Sequence, residues 1–276
     1  MSDPVPTLPP HPVAPVTTHQ ARLARRHIPA LEGSVAVAGL VILWAGISIL
    51  LDNAHLLPTP WAVLSIVIQL AVSGELWRDM GITLWRVVAS FVLAIVAGTG
   101  FGVLMGRRNG ADRWLNPLLV IALNLPALVI IVLCYIWIGL NETAAIAAVA
   151  LNKIPLVTVM IRDGTRSLSP ALDDMAQSFR MPWSDRWRHV ILPQLAPHLA
   201  SAARAGISLI WKIVLVVEFL GRSSGVGFKL HMSFQMFNVA AVMAWALGFV
   251  VLMLAIDGLI LRPWEQRASR WRRDAA

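Results

Sequence analysis

Long apolar runs, separated by short polar segments that carry most of the arginines, dominate this chain. A helix of about 20 apolar residues is long enough to cross the hydrocarbon core of a bilayer. Runs of that kind recur at Val35–Leu51, Val87–Met105, Leu118–Leu140, Thr143–Ile161, Leu199–Leu220 and Val239–Leu261. The pattern predicts an all-α integral membrane protein with about six transmembrane helices. A further run, Trp61–Val72, is too short for a crossing and predicts a surface or partial helix. Pro58 and Pro60 place its start after an extended segment.

The polar loop between the fourth and fifth spans, residues 162–197, has a periodicity of its own. Ser169-Pro170 is a helix start, a serine cap followed by proline in the first turn. Asp173 and Asp174 follow near the positive end of the helix dipole. Leu172, Met175, Ala176 and Phe179 recur at i, i+3, i+4 and i+7, which puts them on one face. That face needs a surface to cover it: its own bundle, the lipid headgroups or another protein. Further along, Arg186, Trp187 and Arg188 suit a second, interfacial helix, with Pro193 and Pro197 expected to mark its end.

Charge orients the spans. The chain is 57% hydrophobic and 14% charged, with a formal net charge of +8. Soluble domains carry about a quarter charged residues, and a basic nucleic-acid-binding protein would not carry apolar runs of this length. Arg22, Arg25 and Arg26, then Arg107, Arg108 and Arg113, then Arg162, Arg166, Arg180, Arg186 and Arg188, and finally Arg262, Arg267, Arg270, Arg272 and Arg273 all fall on one side of a six-span chain. Arg78, Arg222 and Lys229 fall on the other. The positive-inside rule then places both termini in the cytoplasm of a multi-pass inner-membrane protein. Residues 1–30 hold Pro4, Pro6, Pro9, Pro10, Pro12 and Pro15 and read as a disordered arm. The run after them is long and lacks a small-residue cleavage site, so the first span is expected to be retained. Residues 31–264 form the transmembrane domain. Residues 265–276 are a basic tail, with Trp264 and Trp271 suited to the interface. The single cysteine, Cys134, lies in an apolar run and reads as a packing residue.

The 174–193 segment carries a recognisable spacing: Asp174-Met175-Ala176, then Arg180, then Val190-Ile191-Leu192-Pro193. It resembles the EAA loop of ABC-importer permeases, with Asp174 in place of Glu, Met175 in place of Ala and Arg180 in place of Gly. Leu57-Pro58-Thr59-Pro60, Leu125-Pro126-Ala127, Trp137 to Glu142 and Trp211 to Gly227 are similar to the nitrate/sulfonate/taurine/bicarbonate branch of that family. The resemblance implies a type I ABC-importer transmembrane architecture. It also implies two ATP-binding subunits that hold ATP and Mg, a second permease copy, and a periplasmic or lipid-anchored binding protein. Leu172, Asp174, Met175, Ala176, Phe179, Arg180, Leu192 and Pro193 are the residues it assigns to ATPase coupling. The implied function is import of a small anionic or zwitterionic solute by alternating access; a channel or secondary transporter without an ATPase is the alternative. Glycine at the Arg180 position suits a positive backbone torsion, so arginine there implies a turn without one or a compensating contact.

Ionisable groups at membrane depth are costly and pair with one another or face a polar path. Lys153 falls about 18 Å along a helix from Asn141, and Lys212 falls at similar depth in the fifth span. With Asn124, Asn152 and Glu218 they are candidates for a translocation path or for structural pairs. Gly98, Gly102 and Gly106 repeat every fourth residue, the spacing of close helix packing. The Gly221–Gly227 turn, with Arg222, Gly225 and Gly227, reads as a connector, an outer gate or a docking site. The sequence has no Gly-x-x-x-x-Gly-Lys-Ser/Thr phosphate loop, no metal-ligand spacing and no nucleophile elbow. It therefore predicts neither a cofactor, a metal nor an enzymatic activity in this chain.

Overall fold

The computed structural model describes residues 30–261, with side chains from 34 to 259. Almost all of the proline-rich arm and the whole basic tail, including Trp264 and Trp271, lie outside that range. The described chain is helical, with no strand among the described residues: α1 (Ala30–Leu51), α2 (Pro60–Val72), α3 (Glu75–Arg107), α4 (Asn109–Asn124), α5 (Ala127–Ile138), α6 (Glu142–Arg166), α7 (Pro170–Ser178), α8 (Trp183–Arg186), α9 (Leu192–Gly221), α10 (Val226–Gln235) and α11 (Val239–Ile256).

Among the described residues, α1, α3, α6 and α11 are long and apolar enough to cross a bilayer by themselves. The expected third span, Leu118–Leu140, is not one helix: α4 and α5 meet at a bend of 101° and make a fifth crossing only if counted together. Pro126 is the cause. It has no N–H to continue the helix, and its ring pushes Leu125 into extended backbone (φ −69°, ψ 127°). The expected fifth span lies within α9, which has ample length at 30 residues but carries Arg204, Lys212 and Glu218. The short run forms α2, as its length suggested, and the Thr59 hydroxyl caps it by accepting the Ala62 N–H.

The second span starts much earlier than Val87. α3 extends back to Glu75 because Asp79, Thr83, Arg86 and Ser90 share a helical stripe that is buried inside the bundle. Beyond that stripe α3 lies against α6 through its small residues. A Cβ on Gly98 would stand 2.6 Å from Val157 Cβ, one on Gly102 2.7 Å from Ile161 Cβ, and one on Gly106 2.5 Å from Thr165 Cβ. The four-residue repeat is therefore a packing seam, in which missing side chains let two backbones approach. Gly100, off that stripe, has open space around it. α9 closes the core from the other side, with Ala202, Ile210, Trp211, Val214 and Val217 buried. α1 stands apart and exposes its large apolar side chains; the Trp44 indole donates to Pro58 O at 3.0 Å and the Ser48 hydroxyl to Leu57 O at 2.8 Å.

Candidate functional site

Two polar assemblies sit at opposite ends of α3. The first is the loop between α6 and α9. α7 starts where the Ser169-Pro170 pair predicts, yet the serine side chain makes no capping bond; its backbone N–H donates instead to Gln194 Oε1 at 3.1 Å. Along the predicted apolar face only Ala176 is buried. Leu172 and Met175 are more than a third exposed and Phe179 is 77% exposed, so the described residues leave the face largely uncovered. Asp174 points away and is exposed.

Asp173 braces the loop. Its carboxylate lies 2.6 Å from Arg186 Nη2 and 3.5 Å from Arg107 Nη2. The Arg186 hydrogen bond, with Arg107 adding to it against the opposing effect of burial, holds the Asp173 carboxyl below the usual carboxylate range. Arg107 also lies over the Trp183 ring at 5.8 Å.

α7 ends in a Schellman motif. Met181 N–H donates to Ala176 O at 3.0 Å and Arg180 N–H to Gln177 O at 2.9 Å. The motif requires a left-handed residue, and Arg180 supplies it with φ +46°. The turn thus keeps the geometry that glycine favours, and the Arg180 side chain makes no hydrogen bond or ion pair among the described residues. The expected end of the second helix at Pro193 and Pro197 is not what forms. α8 runs through a π turn, Trp187–Ile191, straight into α9, with Leu192 N–H donating to Trp187 O. Pro193 lies just after the π turn inside this continuous helix, so it does not close the interfacial helix. Val190, Ile191 and Leu195 are buried there, while Leu192 and Pro193 are exposed.

The second assembly gathers around Arg86, which is 1% exposed. Its five N–H groups bind Glu142 Oε2 and Oε1 at 2.9 and 2.6 Å, Glu218 Oε1 at 2.7 Å, Ser224 O at 2.7 Å and Ser224 Oγ at 2.9 Å. The start of α10 closes the assembly. Its orphan donors, the N–H groups of Gly225, Val226 and Gly227, go to Asp79 Oδ1, Thr83 Oγ1 and Glu218 Oε2 at 3.0, 3.0 and 2.8 Å. Gly225 is needed twice over: its φ is +98°, and a Cβ would stand 2.5 Å from the Glu218 carboxylate. Arg222 reaches Glu142 Oε1 at 2.7 Å and Leu140 O at 2.9 Å, and Lys229 reaches Glu75 at 3.2 Å.

Residues 94–262 match the family described as binding-protein-dependent transport system inner membrane component. The chain belongs to that family. It is an ABC-importer permease. It is 27% identical to the putative aliphatic sulfonates transport permease SsuC of Bacillus subtilis over 88% of each chain. It is 29% identical to the SsuC of Escherichia coli over 84% of this chain and 89% of that one. Its identity to the taurine transport permease TauC of Escherichia coli is 24% over 89% and 90%. Among solved structures it resembles an amino acid ABC transporter (TM-score 0.57, 20% identity, 72% of this chain and 96% of that one). It also resembles the inward-facing MetNI methionine transporter (TM-score 0.55, 18% identity, 70% and 93%). Those likenesses show the fold, that of a type I importer permease.

The permease does not bring its candidate path residues together. Glu218 is fully buried and pairs with Arg86, not with either lysine. Lys212 and Asn124 are exposed, the latter donating to Val120 O in its own helix, and Asn152 is half-buried. Lys153 is 8% exposed with no ion pair among the described residues. Arg222, Gly225 and Gly227 do meet, around Glu142 and Glu218. Sequence reading missed Arg86, Asp79 and Thr83, which organise the second assembly, and the pairing of Arg107 with Asp173, which braces the first. The stripe Glu75, Asp79, Thr83, Arg86 is a helical period of polar residues next to an apolar run, and that was the available signal.

Proposed function

We propose that this permease moves a small anionic or zwitterionic solute of the sulfonate and taurine kind into the cytoplasm, driven by ATP hydrolysis in two separate subunits that grip α7. The names of the SsuC and TauC relatives support the solute class. One observation carries the coupling: the face formed by Leu172, Met175 and Phe179 is apolar, lies on a helix braced by Asp173, and is left uncovered by the other described residues. Methionine and phenylalanine are adaptable anchors for a partner groove. In this reading the arginine-rich loop 162–197 and both termini are cytoplasmic. A second permease copy completes the path, and a binding protein delivers solute to the Arg222–Gly227 side. Asn124, Asn152 and Lys212 belong to the polar surface along that path, whereas Lys153 is buried within this chain.

Alternating access requires each state to be favoured by different contacts, and ATP-driven closure of the ATPase pair would supply them through α7. The test is co-expression with an ABC ATPase and a substrate-binding protein encoded with the permease. The ATPase should co-purify, and proteoliposomes should accumulate taurine or an alkanesulfonate only with ATP. The Met175→Asp/Phe179→Asp double variant should lose the ATPase while keeping its own thermal unfolding midpoint. Uptake that needs no ATPase would make the protein a channel or secondary transporter.

A further inference from the structure

α7 is fastened to the membrane helices by few contacts. Ala176 is its one fully buried side chain among the described residues, and Ser169 N–H is held by Gln194 on α9. Both ion pairs of α7 run through a single carboxylate, that of Asp173. The two arginines it takes belong to different rods. Arg107 is the last residue of α3. Its neighbour Gly106 leaves no room for a Cβ against Thr165 of α6, so the end of α3 packs directly on α6. Arg186 ends α8, which continues without a break through the π turn into α9.

The far ends of the same two rods meet as well. Arg86 lies on α3 and Glu218 on α9, and they pair at 2.7 Å in a buried site. Arg86 and Arg107 are roughly 30 Å apart along α3 at the rise of an α-helix, which is about the thickness of the hydrocarbon core. No proline interrupts α3 between them. α3 and α9 are thus pinned to each other directly at the outer end and through α7 at the inner end.

We infer that Asp173 is the positioning residue that joins the coupling helix to the inner ends of α3 and α9. A displacement of α7 would shift those two ends about the fixed Arg86–Glu218 contact. The apolar face of α7 holds the ATPase; Asp173 passes the movement on. This inference rests on the coupling role proposed for α7.

The experiment uses the complete transporter in proteoliposomes, with taurine as the transported probe and with ATP hydrolysis and uptake measured together. Asp173→Asn keeps the size of the side chain and removes its charge. It should retain the co-purified ATPase and ATP hydrolysis, while uptake per ATP falls by about tenfold, toward the lower end of the usual range of coupling between sites. Arg107→Gln should do the same, and Asp173→Glu should recover most of the ratio. A role confined to local stability would lower the unfolding midpoint and leave the ratio unchanged, which would overturn the inference. Loss of the ATPase from Asp173→Asn would also overturn it, since the residue would then belong to docking. Failure of the wild-type permease to retain any ATPase would remove the coupling role of α7 and this inference with it, whereas a coupled wild type with an equally coupled Asp173→Asn would remove this inference alone.

Discussion

At its outer end α3 holds Arg86 with all five donors used, two carboxylates and a serine around it, and almost no contact with solvent. At its inner end the same helix holds Arg107, which shares one half-exposed acid with Arg186, leaves its buried Nε without a hydrogen bond and rests on an indole. The two arginines face opposite requirements. A charge removed from water must find every partner within the protein. One at a water-facing loop can remain loosely held, and screening makes each such pair worth little. Arg86 is therefore fully paired among the described residues, although Asp79 Oδ2 and Arg222 Nε beside it are buried without a hydrogen bond. The inner end combines two ion pairs through one shared carboxylate with an apolar face that the described residues leave uncovered, the combination expected of a surface that another subunit completes.

The largest effect should come from breaking the outer end. Arg86→Met leaves Glu218 fully buried without its cation and frees Ser224 from its anchor. Removing one member of a buried pair costs about 3–5 kcal/mol, so the thermal midpoint of the detergent-solubilised permease should fall sharply. The contrast sharpens with the double variant Arg86→Met/Glu218→Leu. It buries no unpaired charge at that point and should regain part of the loss, although α10 then lacks an acceptor for Gly227 N–H. A double variant no more stable than Arg86→Met would mean that the hydrogen bonds to the α10 start, not the charge pair, carry the outer end.

A smaller effect is expected between the two arginines, on the Arg107 side. Gly102→Val places a Cβ 2.7 Å from Ile161 Cβ and close to Thr158 O at 2.9 Å, with backbone on the far side that cannot yield. Overpacking of this kind costs about 1–3 kcal/mol. Gly100→Val, where nothing lies within 4 Å, is the matched control and should unfold with the wild type. If both variants unfold alike, α3 and α6 are not held by the small-residue seam, and α3 loses its claim to move as one body with α6.

What could be read from the sequence was local. The four-residue glycine repeat and the i, i+3, i+4, i+7 face of α7 are each set within one helix and appear in the structure, whereas run length gave neither the start of α3 nor the bend between α4 and α5. The outer assembly was invisible because Arg86 finds Glu142, Glu218 and Ser224 at separations of 56, 132 and 138 residues. Without them a charged stripe beside an apolar run looks like the end of a span, so α3 was cut short at Val87. Depth along a helix placed Lys153, Lys212 and Glu218 together in expectation, but pairing depends on which faces meet, and Glu218 turned to α3. Two prolines misled in opposite directions. Pro126 breaks an apolar run whose length alone predicts a single helix, while Pro193, which reads as a stop, follows a π turn that lets the chain run on.

The smallest effect bears most directly on the inner end. Arg180 holds φ +46° because the Schellman motif that ends α7 requires a left-handed residue, a conformation that costs a side-chain-bearing residue roughly 1–2 kcal/mol. Its side chain makes no hydrogen bond or ion pair among the described residues to offset that strain. Arg180→Gly should therefore tighten the turn by about 1 kcal/mol once the extra freedom of glycine in the unfolded chain is allowed for. Hydrogen exchange reads this locally: the Met181 amide, which donates to Ala176 O, should exchange about fivefold more slowly, as a 1 kcal/mol change in local opening requires. The permease alone should thus gain from the change. If the assembled transporter instead loses affinity for its ATPase, the strain at Arg180 is kept because the guanidinium reaches the other subunit, and the inner end is completed by charge as well as by the apolar face. If affinity is unchanged, the apolar face suffices, and the arginine is a tolerated departure at a position whose geometry favours glycine.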